Sequence, residues 1–325
     1  MRRIGKRSVR KKGYVTCFTV WIRAASTPRT WDFSITTPKL GGYRYKTIKL
    51  SNNSLRRFLV ACDWDLSSAA ARLRDTLQWR REYKPQHVIC HRCRETPGCH
   101  SMRQVGFDKD GRPVLYMCFA QCSTTEQTVD GAVQHVIALL ENAAKSSDQE
   151  SCGYVWVLDL QGFKFFSSQK IAVAIEKVVS KHYPELLEAL LVVNPGLFFH
   201  TVWHAMRRFI DQNTRSKIHL YRDKPRLQEK FHNLFPCELR EWLFNEINLN
   251  LNSQYPKAQK TFWKYNHGDM HDPRGCASYV QKYVDNITLA DYEDSFDRTF
   301  HLPHKNVLDE VLLRGKFKAC GMKYH

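Results

Sequence analysis

The chain has 325 residues, of which 43% are apolar and 25% charged, and its formal net charge is +18. This length allows one large domain with appendages or two domains, and the composition is typical of globular proteins. The longest candidate apolar run, residues 14–22, is much shorter than the ~20 residues of a membrane-spanning helix. The sequence therefore argues against an integral membrane protein.

The excess positive charge is concentrated in the first third of the chain. Residues 1–104 carry 23 Lys and Arg but only 6 Asp and Glu. We therefore expect any contact with a polyanion in this part, and the polyanion is either an anionic membrane surface or a nucleic acid. Residues 1–50 lack a sustained helical or strand period, which favours a flexible, disordered basic arm. The alternatives are a targeting segment and an extension upstream of the true start.

The eleven cysteines indicate a reducing compartment. An odd number in a long chain does not fit a closed disulfide framework. We therefore expect a cytoplasmic protein.

The first regular elements are predicted after residue 50. Residues 55–77 show helical spacing in two pieces, and Asp65 is a plausible N-cap of the second piece. The apolar residues that follow at helical spacing are Leu66, Ala69, Ala70, Leu73 and Leu77. Residues 84–104 contain Pro85, Pro97 and Gly98 and are predicted to be a connector.

Short apolar runs then alternate with helical stretches. Strands are predicted at 114–119, 154–159, 190–194 and 217–221, and helices near 129–144, 168–182 and 197–210. This alternation predicts an α/β domain with a largely parallel sheet. Residues 246–325 are rich in aromatic residues, so we expect this extension to pack on the α/β body.

Several segments, taken in order, resemble the CRAL-TRIO lipid-binding family, which includes the secretory-pathway phosphatidylinositol/phosphatidylcholine transfer proteins. The resemblance covers about residues 55–245 and rests on short motifs in the family's order. These motifs are residues 55–65, 77–82, 108–114, 157–163, 183–185, 192–194, 211 and 214–217.

The resemblance implies a sheet that floors an apolar lipid cavity, a helix that gates it, and an all-α N-terminal module before it. The chain would then comprise four parts. These are the basic arm (1–50), the helical module with a Cys/His-rich connector (51–104), the lipid-binding domain (105–245) and the C-terminal extension (246–325).

The gate helix would be residues 197–210, whose large apolar side chains share one face. These are Phe199, Val202, Trp203, Met206, Phe209 and Ile210. Cations lie off that face, which suits a helix that enters a charged interface. The alternative is an ordinary amphipathic helix docked on its own core.

The resemblance also implies a site for the lipid headgroup. Family members that bind inositol use a Glu, a Thr and a Lys at the positions of Glu185, Thr214 and Lys217, where a structural Glu185–Lys217 ion pair is the alternative. Their N-terminal Arg-Lys pair is replaced here by Cys62 and Asp63, and bulky Tyr154 and Trp156 stand where small residues usually lie. The loss of two cations weighs against phosphatidylinositol as the ligand, and the two rings favour a smaller or reshaped cavity.

The connector holds potential metal ligands. Cys90, Cys93, Cys99 and His100 supply thiol and imidazole groups of the kind that zinc prefers. A bound zinc is one interpretation, and a Cys-rich surface loop is the other.

The resemblance thus implies a non-enzymatic lipid carrier, and the sequence carries no hydrolase, P-loop or dinucleotide signature that asks for an enzyme. The predicted ligand is phosphatidylinositol or another phospholipid, and no cofactor is expected beyond the zinc that is one of the two interpretations of the connector. Peripheral contact with a membrane would allow the lipid to exchange. The alternatives are a carrier of a compact lipophile (a tocopherol, retinoid or sterol) and a basic nucleic-acid-binding protein.

Overall fold

The computed structural model describes most of residues 52–252 and a few segments outside that range. The described residues are 19–24, 31–36, 52–88, 90, 92, 100–121, 128–146, 153–163, 165–196, 199, 203, 212–252 and 275–276. The chain divides into two compact units, one formed by Met1–Tyr83 with Ser180–Glu185 and the other by Lys84–Val179 with Leu186–His325.

The first unit contains a helical pair, as predicted. Helix α1 spans Asn52–Val60 and α2 spans Leu66–Tyr83. The turn between them carries Asp63 and Trp64 in left-handed backbone conformations, and Asp65 caps α2 by accepting a hydrogen bond from the Ser68 N–H at 2.8 Å. The buried core of the pair consists of Leu55, Phe58, Leu59, Ala69, Ala70 and Leu73.

One residue of that predicted apolar face is placed differently. Leu66 is 40% exposed, beside Trp64, which is 56% exposed. Leu66 is the first residue of α2 and directly follows the turn, so the helix buries its apolar face only from Ala69 onward. The spacing of apolar residues identifies a helix face but does not show where burial along that face begins.

A short hairpin lies inside the basic arm. Strands β1 (Thr19–Ala24) and β2 (Trp31–Thr36) pair antiparallel in register from Thr19↔Thr36 to Ala24↔Trp31. The sequence predicted no regular structure here, and for these two segments that prediction is wrong. The missed signal is the alternation of Trp31, Phe33 and Ile35 with polar residues, which is the strand period on a segment of only six residues.

The second unit is built on a five-stranded sheet in the order β3-β4-β5-β6-β7. The strands are β3 (Arg103–Phe107), β4 (Pro113–Cys118), β5 (Tyr154–Asp159), β6 (Leu187–Val193) and β7 (Ile218–Tyr221). Strand β3 is antiparallel to β4, and all other pairs are parallel. The predicted α/β class with a largely parallel sheet is therefore confirmed.

Strand β3 corrects the predicted connector, which extended to residue 104. Its first side chains, Arg103 and Gln104, are polar yet completely buried, and Gly106 has no side chain to signal a strand. Hydrophobic periodicity therefore could not identify this edge strand, because its burial depends on partners that are distant in sequence.

The described helices of this unit connect and follow the strands of the sheet. They are α3 (Val129–Ser146), α4 (Phe165–His182), α5 (Gln212–Ser216), α6 (Lys224–Leu234) and α7 (Cys237–Asn252). Helix α7 crosses residue 245, where the sequence had suggested a boundary, because both Leu243 and Ile247 belong to the core. The last three residues of α4 belong to the first unit.

One face of the sheet is sealed by α6 and α7. Alternate strand residues such as Val155, Val157 and Leu191 are fully buried there against Phe231 and Leu243. Such packing is expected to supply most of the stability of the unit, since each buried large apolar side chain contributes about 1.5–3 kcal/mol.

A buried polar network lies under α7. Arg103 donates to Glu246 at 3.0 Å, both side chains are fully buried, and Gln121 also donates to Glu246. Nearby, the Tyr116 hydroxyl donates to Asp159 at 3.1 Å, and burial raises the pKa of both groups. This network fastens the edge strand β3 to the last helix of the sheet.

Two residues of the C-terminal extension extend the sheet edge. The Cys276 N–H donates to the Val105 carbonyl of β3 at 2.9 Å, and Cys276 is buried. Gly275 adopts a positive φ of 155°, and a Cβ there would lie only 2.9 Å from the Val105 backbone. Glycine is therefore required where this segment meets β3.

Candidate functional site

The second face of the sheet presents two rows of apolar residues. Strand register aligns Leu115, Trp156, Leu190 and Ile218 in one row and Met117, Leu158, Val192 and Leu220 in the next. These side chains point away from α6 and α7, because successive residues of a strand face opposite sides of a sheet.

This second face is covered unevenly. Leu115 and Val192 are buried, and helix α3 contacts strands β3 and β4. Six apolar residues remain only half-buried, and together they are called the apolar floor: Met117, Trp156, Leu158, Leu190, Ile218 and Leu220. The floor is an apolar surface that the described helices do not seal, in contrast to the opposite face.

The two bulky rings of β5 both lie on the floor side. Tyr154 is buried, and burial raises the pKa of its phenol. Trp156 lies in the floor itself, and its indole Nε1 is buried with no hydrogen-bond acceptor among the described residues. The floor therefore contains one buried N–H donor in an otherwise apolar surface.

The start of the predicted gate helix contacts the carboxyl ends of the strands. Phe199 and Trp203 are helical and half-buried. The Phe199 ring meets Phe163 edge-on at 6.2 Å between centroids, and Phe163 meets Phe119 at 4.8 Å. The remaining predicted gate residues, Val202, Met206, Phe209 and Ile210, lie outside the described residues.

The predicted headgroup residues lie in two different turns. Glu185 occupies the turn between α4 and β6 with a left-handed φ of 54°. Thr214 and Lys217 belong to the turn of α5 that leads into β7, where the Lys217 N–H donates to the Thr214 carbonyl at 3.1 Å. All three side chains are half-buried, so each is held partly out of water. Their shared role in binding a headgroup remains a prediction.

The Cys62 and Asp63 pair, which replaces two cations of the family, lies in the turn between α1 and α2. Asp63 is exposed and Cys62 is half-buried. Both belong to the first unit, and Asp63 adopts a left-handed φ of 49°.

The connector brings two of its four predicted metal ligands together. The Cys90 Sγ lies 3.6 Å from the His100 Nδ1, and both side chains are buried. Cys93 and Cys99 lie outside the described residues. The structure adds a residue that the sequence analysis missed, His135 of α3, whose ring lies 4.3 Å from that of His100.

His135 was missed because it is a single polar residue within an apolar helix. Its burial and the neighbouring His100 lower the pKa of the His135 imidazole. The available signal was that residues 136–140 are apolar without interruption, so the middle of the helix is buried and a histidine inside it requires a partner.

Comparison with known proteins shows what this domain is similar to. Residues 101–239 match the CRAL/TRIO domain, and they include all five strands of the sheet. The part of the chain that forms the sheet is therefore the part that is similar to a CRAL/TRIO domain.

Particular relatives align over about half of this chain or more. "Protein real-time" of Drosophila melanogaster is 29% identical over 196 residues, which are 53% of this chain and 28% of that protein. "Phosphatidylinositol/phosphatidylcholine transfer protein SFH12" of Arabidopsis thaliana is 26% identical over 233 residues, which are 64% of this chain and 42% of that protein. The matched region thus spans less than half the length of these two relatives.

One solved structure is also similar. The crystal structure of Sfh5 matches with a TM-score of 0.44 and 23% identity, covering 52% of this chain and 63% of that chain.

Among the helices that the structure describes, none is both long enough and apolar enough to cross a bilayer.

Proposed function

We propose that this chain is a non-enzymatic carrier that binds one lipid on the apolar floor and exchanges it with a membrane. The observation that carries the proposal is the unequal covering of the two sheet faces. Val157 and Leu191 are fully buried under α6 and α7, whereas Trp156 and Leu190, their neighbours in the chain, are half-buried on the floor. An apolar surface of this kind is the expected lining of a ligand site.

A carrier of this kind needs only an apolar surface and a cover. Each acyl CH₂ that enters water costs about 0.8 kcal/mol, so two long chains cost on the order of 20 kcal/mol to extract unassisted. A site lined by Leu, Ile, Met and Trp removes most of that cost without covalent chemistry. The helix 197–210 would act as the cover, and the contact of Phe199 with Phe163 supports its position at the end of the sheet.

The favoured ligand is phosphatidylinositol or another phospholipid. Relatives such as SFH12 are named as phosphatidylinositol/phosphatidylcholine transfer proteins. Thr214 and Lys217 offer a hydroxyl and an ammonium in one turn, which suit a phosphodiester, while Glu185 offers a carboxylate for sugar hydroxyls. These three residues would orient the headgroup.

Replacing Lys217 tests the headgroup assignment. The substitution Lys217→Ala removes one charged donor, so we expect about a 10–100-fold loss of affinity for phosphatidylinositol. Transfer of labelled lipid between vesicles measures this loss. The matched control is Lys224→Ala, an exposed lysine at the start of α6, which should leave transfer unchanged. Equal transfer by both variants would show that Lys217 does not hold the headgroup.

A compact lipophile with one hydroxyl is the second candidate ligand. The buried Nε1 of Trp156 favours this second candidate, because an N–H donor within the floor could donate a hydrogen bond to the hydroxyl oxygen of the lipophile. The exposed Asp63 and the half-buried Cys62, in place of two cations, also weaken the case for an anionic headgroup.

The substitution Trp156→Phe distinguishes the two candidates. It keeps a ring in the floor and removes the N–H, so retinol or cholesterol should bind about 2–10-fold more weakly if they are the ligands. Phosphatidylinositol transfer should then remain near the wild-type rate. If neither lipophile displaces labelled phosphatidylinositol from the wild-type chain, the second candidate is excluded.

A further inference from the structure

A cluster of three buried side chains lies apart from the apolar floor. Cys90 follows the short 3₁₀ turn Pro85–His87, His100 stands just before β3, and His135 lies in the middle of α3. One ligand atom from each residue lies within 4.8 Å of the other two, and the side chains are 0%, 6% and 2% exposed.

The spacing of these atoms fits a metal ion. Zinc binds sulfur at about 2.3 Å and imidazole nitrogen at about 2.0–2.1 Å, so a tetrahedral ion places the two ligand atoms about 3.6 Å apart. The observed distance from the Cys90 Sγ to the His100 Nδ1 is 3.6 Å. No two of the three ligand atoms lie more than 4.8 Å apart.

The orientation of His135 also fits a metal ligand. Its Nε2 lies 2.8 Å from the Met102 carbonyl oxygen, to which it donates a hydrogen bond. This bond places the proton on Nε2, so Nδ1 carries the lone pair, and the same imidazole is also hydrogen-bonded with Cys90, the second of the three residues. Metal-binding histidines are commonly held in this way by a backbone carbonyl.

We propose that Cys90, His100 and His135 supply three of the four ligands of one buried Zn²⁺ ion. A ligand set of one thiolate and two imidazoles binds zinc in preference to hard cations such as Mg²⁺ and Ca²⁺. Because all three side chains are buried, no substrate can reach the ion, and its role is to fasten the connector to α3 and to the start of β3. The site is independent of the lipid proposal, since none of its residues lies on the floor.

Metal analysis of the purified full chain tests this site. We expect about one equivalent of zinc per chain, and replacement by Co²⁺ should give the visible bands of a tetrahedral site together with a thiolate-to-cobalt band. A chain that is free of zinc and takes up none when Zn²⁺ is added would overturn the proposal. Those results would identify the trio as a hydrogen-bonded cluster.

Substitutions assign the ligands. Cys90→Ser and His135→Gln should each weaken zinc affinity by at least about 100-fold, more than the 10–100-fold loss typical of an outer-shell partner. The control is Cys118→Ala, which removes another buried thiol, one on the sheet, and should keep full zinc content. If both ligand variants keep one equivalent, the assignment is wrong.

Thermal unfolding of the wild-type chain tests the zinc site even if these variants fold poorly. A chelator should lower the melting temperature of the wild-type chain, because an ion that binds only the folded state stabilises it. Adding Zn²⁺ back should restore the original melting temperature, whereas adding Mg²⁺ should not. If the chelator does not shift the melting temperature of the wild-type chain, this result contradicts the proposal, and no variant is needed to interpret it.

Discussion

At the scale of single residues, the ion pair between Arg103 and Glu246 is the most deeply buried charge contact among the described residues. Both side chains are fully buried, Arg103 also donates to the Ser101 carbonyl and to Gln121, and Gln121 donates to Glu246. Two desolvated charges are tolerated only when each is paired and hydrogen-bonded. The pair therefore makes the attachment of β3 to α7 depend on both partners.

Removing one partner of this pair should be costly. The substitution Glu246→Ala leaves the Arg103 charge buried, so we expect about 3–5 kcal/mol less free energy of unfolding. Urea denaturation measures this loss, and Glu229→Ala, an exposed carboxylate on α6, serves as the control. A loss for Glu246→Ala no larger than that of the control would contradict this account.

A histidine in the first unit gives a pH dependence. The His182 ring stacks on Trp79 at 4.2 Å, and burial, assisted by Lys181, lowers its pKa from 6.5 to about 4. The unfolded chain therefore takes up a proton between pH 6.5 and 4 that the folded chain does not. Stability should fall as the pH falls through this window and should lose nothing more from this group below it.

The substitution His182→Phe keeps the stacked ring and removes the titration. The loss of unfolding free energy between pH 7 and 5 should therefore be smaller in this variant than in the wild-type chain. Some dependence should remain, since burial also lowers the pKa of His219. An unchanged dependence, equal to that of a His87→Gln control at an exposed site, would show that His182 does not contribute.

At the scale of elements, the two faces of β6 have different roles. Leu191 is fully buried under α6 and α7, and Leu190 is half-buried on the floor. In the lipid-free protein, Leu191→Ala should lower the free energy of unfolding by about 2–5 kcal/mol because it opens a cavity. Leu190→Ala should cost about 1 kcal/mol or less and should instead reduce lipid uptake.

Urea denaturation and lipid loading of the two variants check this contrast. The two substitutions change neighbouring residues of the same strand, one in each variant, so each variant is a control for the other. Equal losses of stability would mean that the floor is an ordinary core, and the lipid proposal would lose its main support.

The parallel strands could be predicted from the sequence because their apolar runs are continuous. Residues 154–159 were predicted with the observed bounds of β5. Strand β3 could not be found in this way, since its burial comes from Glu246, 143 positions away from Arg103. The apolar side chains of the floor were foreseeable, but their partial exposure was not, because exposure depends on which helices cover them.

The candidate metal cluster shows the same limit. Cys90 and His100 lie ten residues apart, and their spacing suggested a site in the connector. His135 joins them only because α3 contacts the turn Pro85–His87. A short spacing in the sequence can identify ligands within one segment, whereas a ligand from a distant helix can be identified only once the fold is known.

At the scale of the whole molecule, the charge distribution is uneven. Residues 1–104 carry 23 Lys and Arg against 6 Asp and Glu, so this part should be attracted to anionic lipids by about 1 kcal/mol for each cation near the surface. Binding to phosphatidylserine vesicles should weaken steeply with added salt. Preferential binding to RNA or DNA under the same conditions would favour the nucleic-acid alternative.

The central claim is that the apolar floor holds a lipid, and native mass spectrometry of the full chain purified from cells tests it most directly. The account predicts one lipid molecule per chain in the wild type and less in Leu190→Ala. Val173→Ala, which changes an apolar residue that is 66% exposed on α4, should retain the wild-type lipid content. A wild-type chain that carries no lipid, and that takes up none from vesicles, would contradict the account.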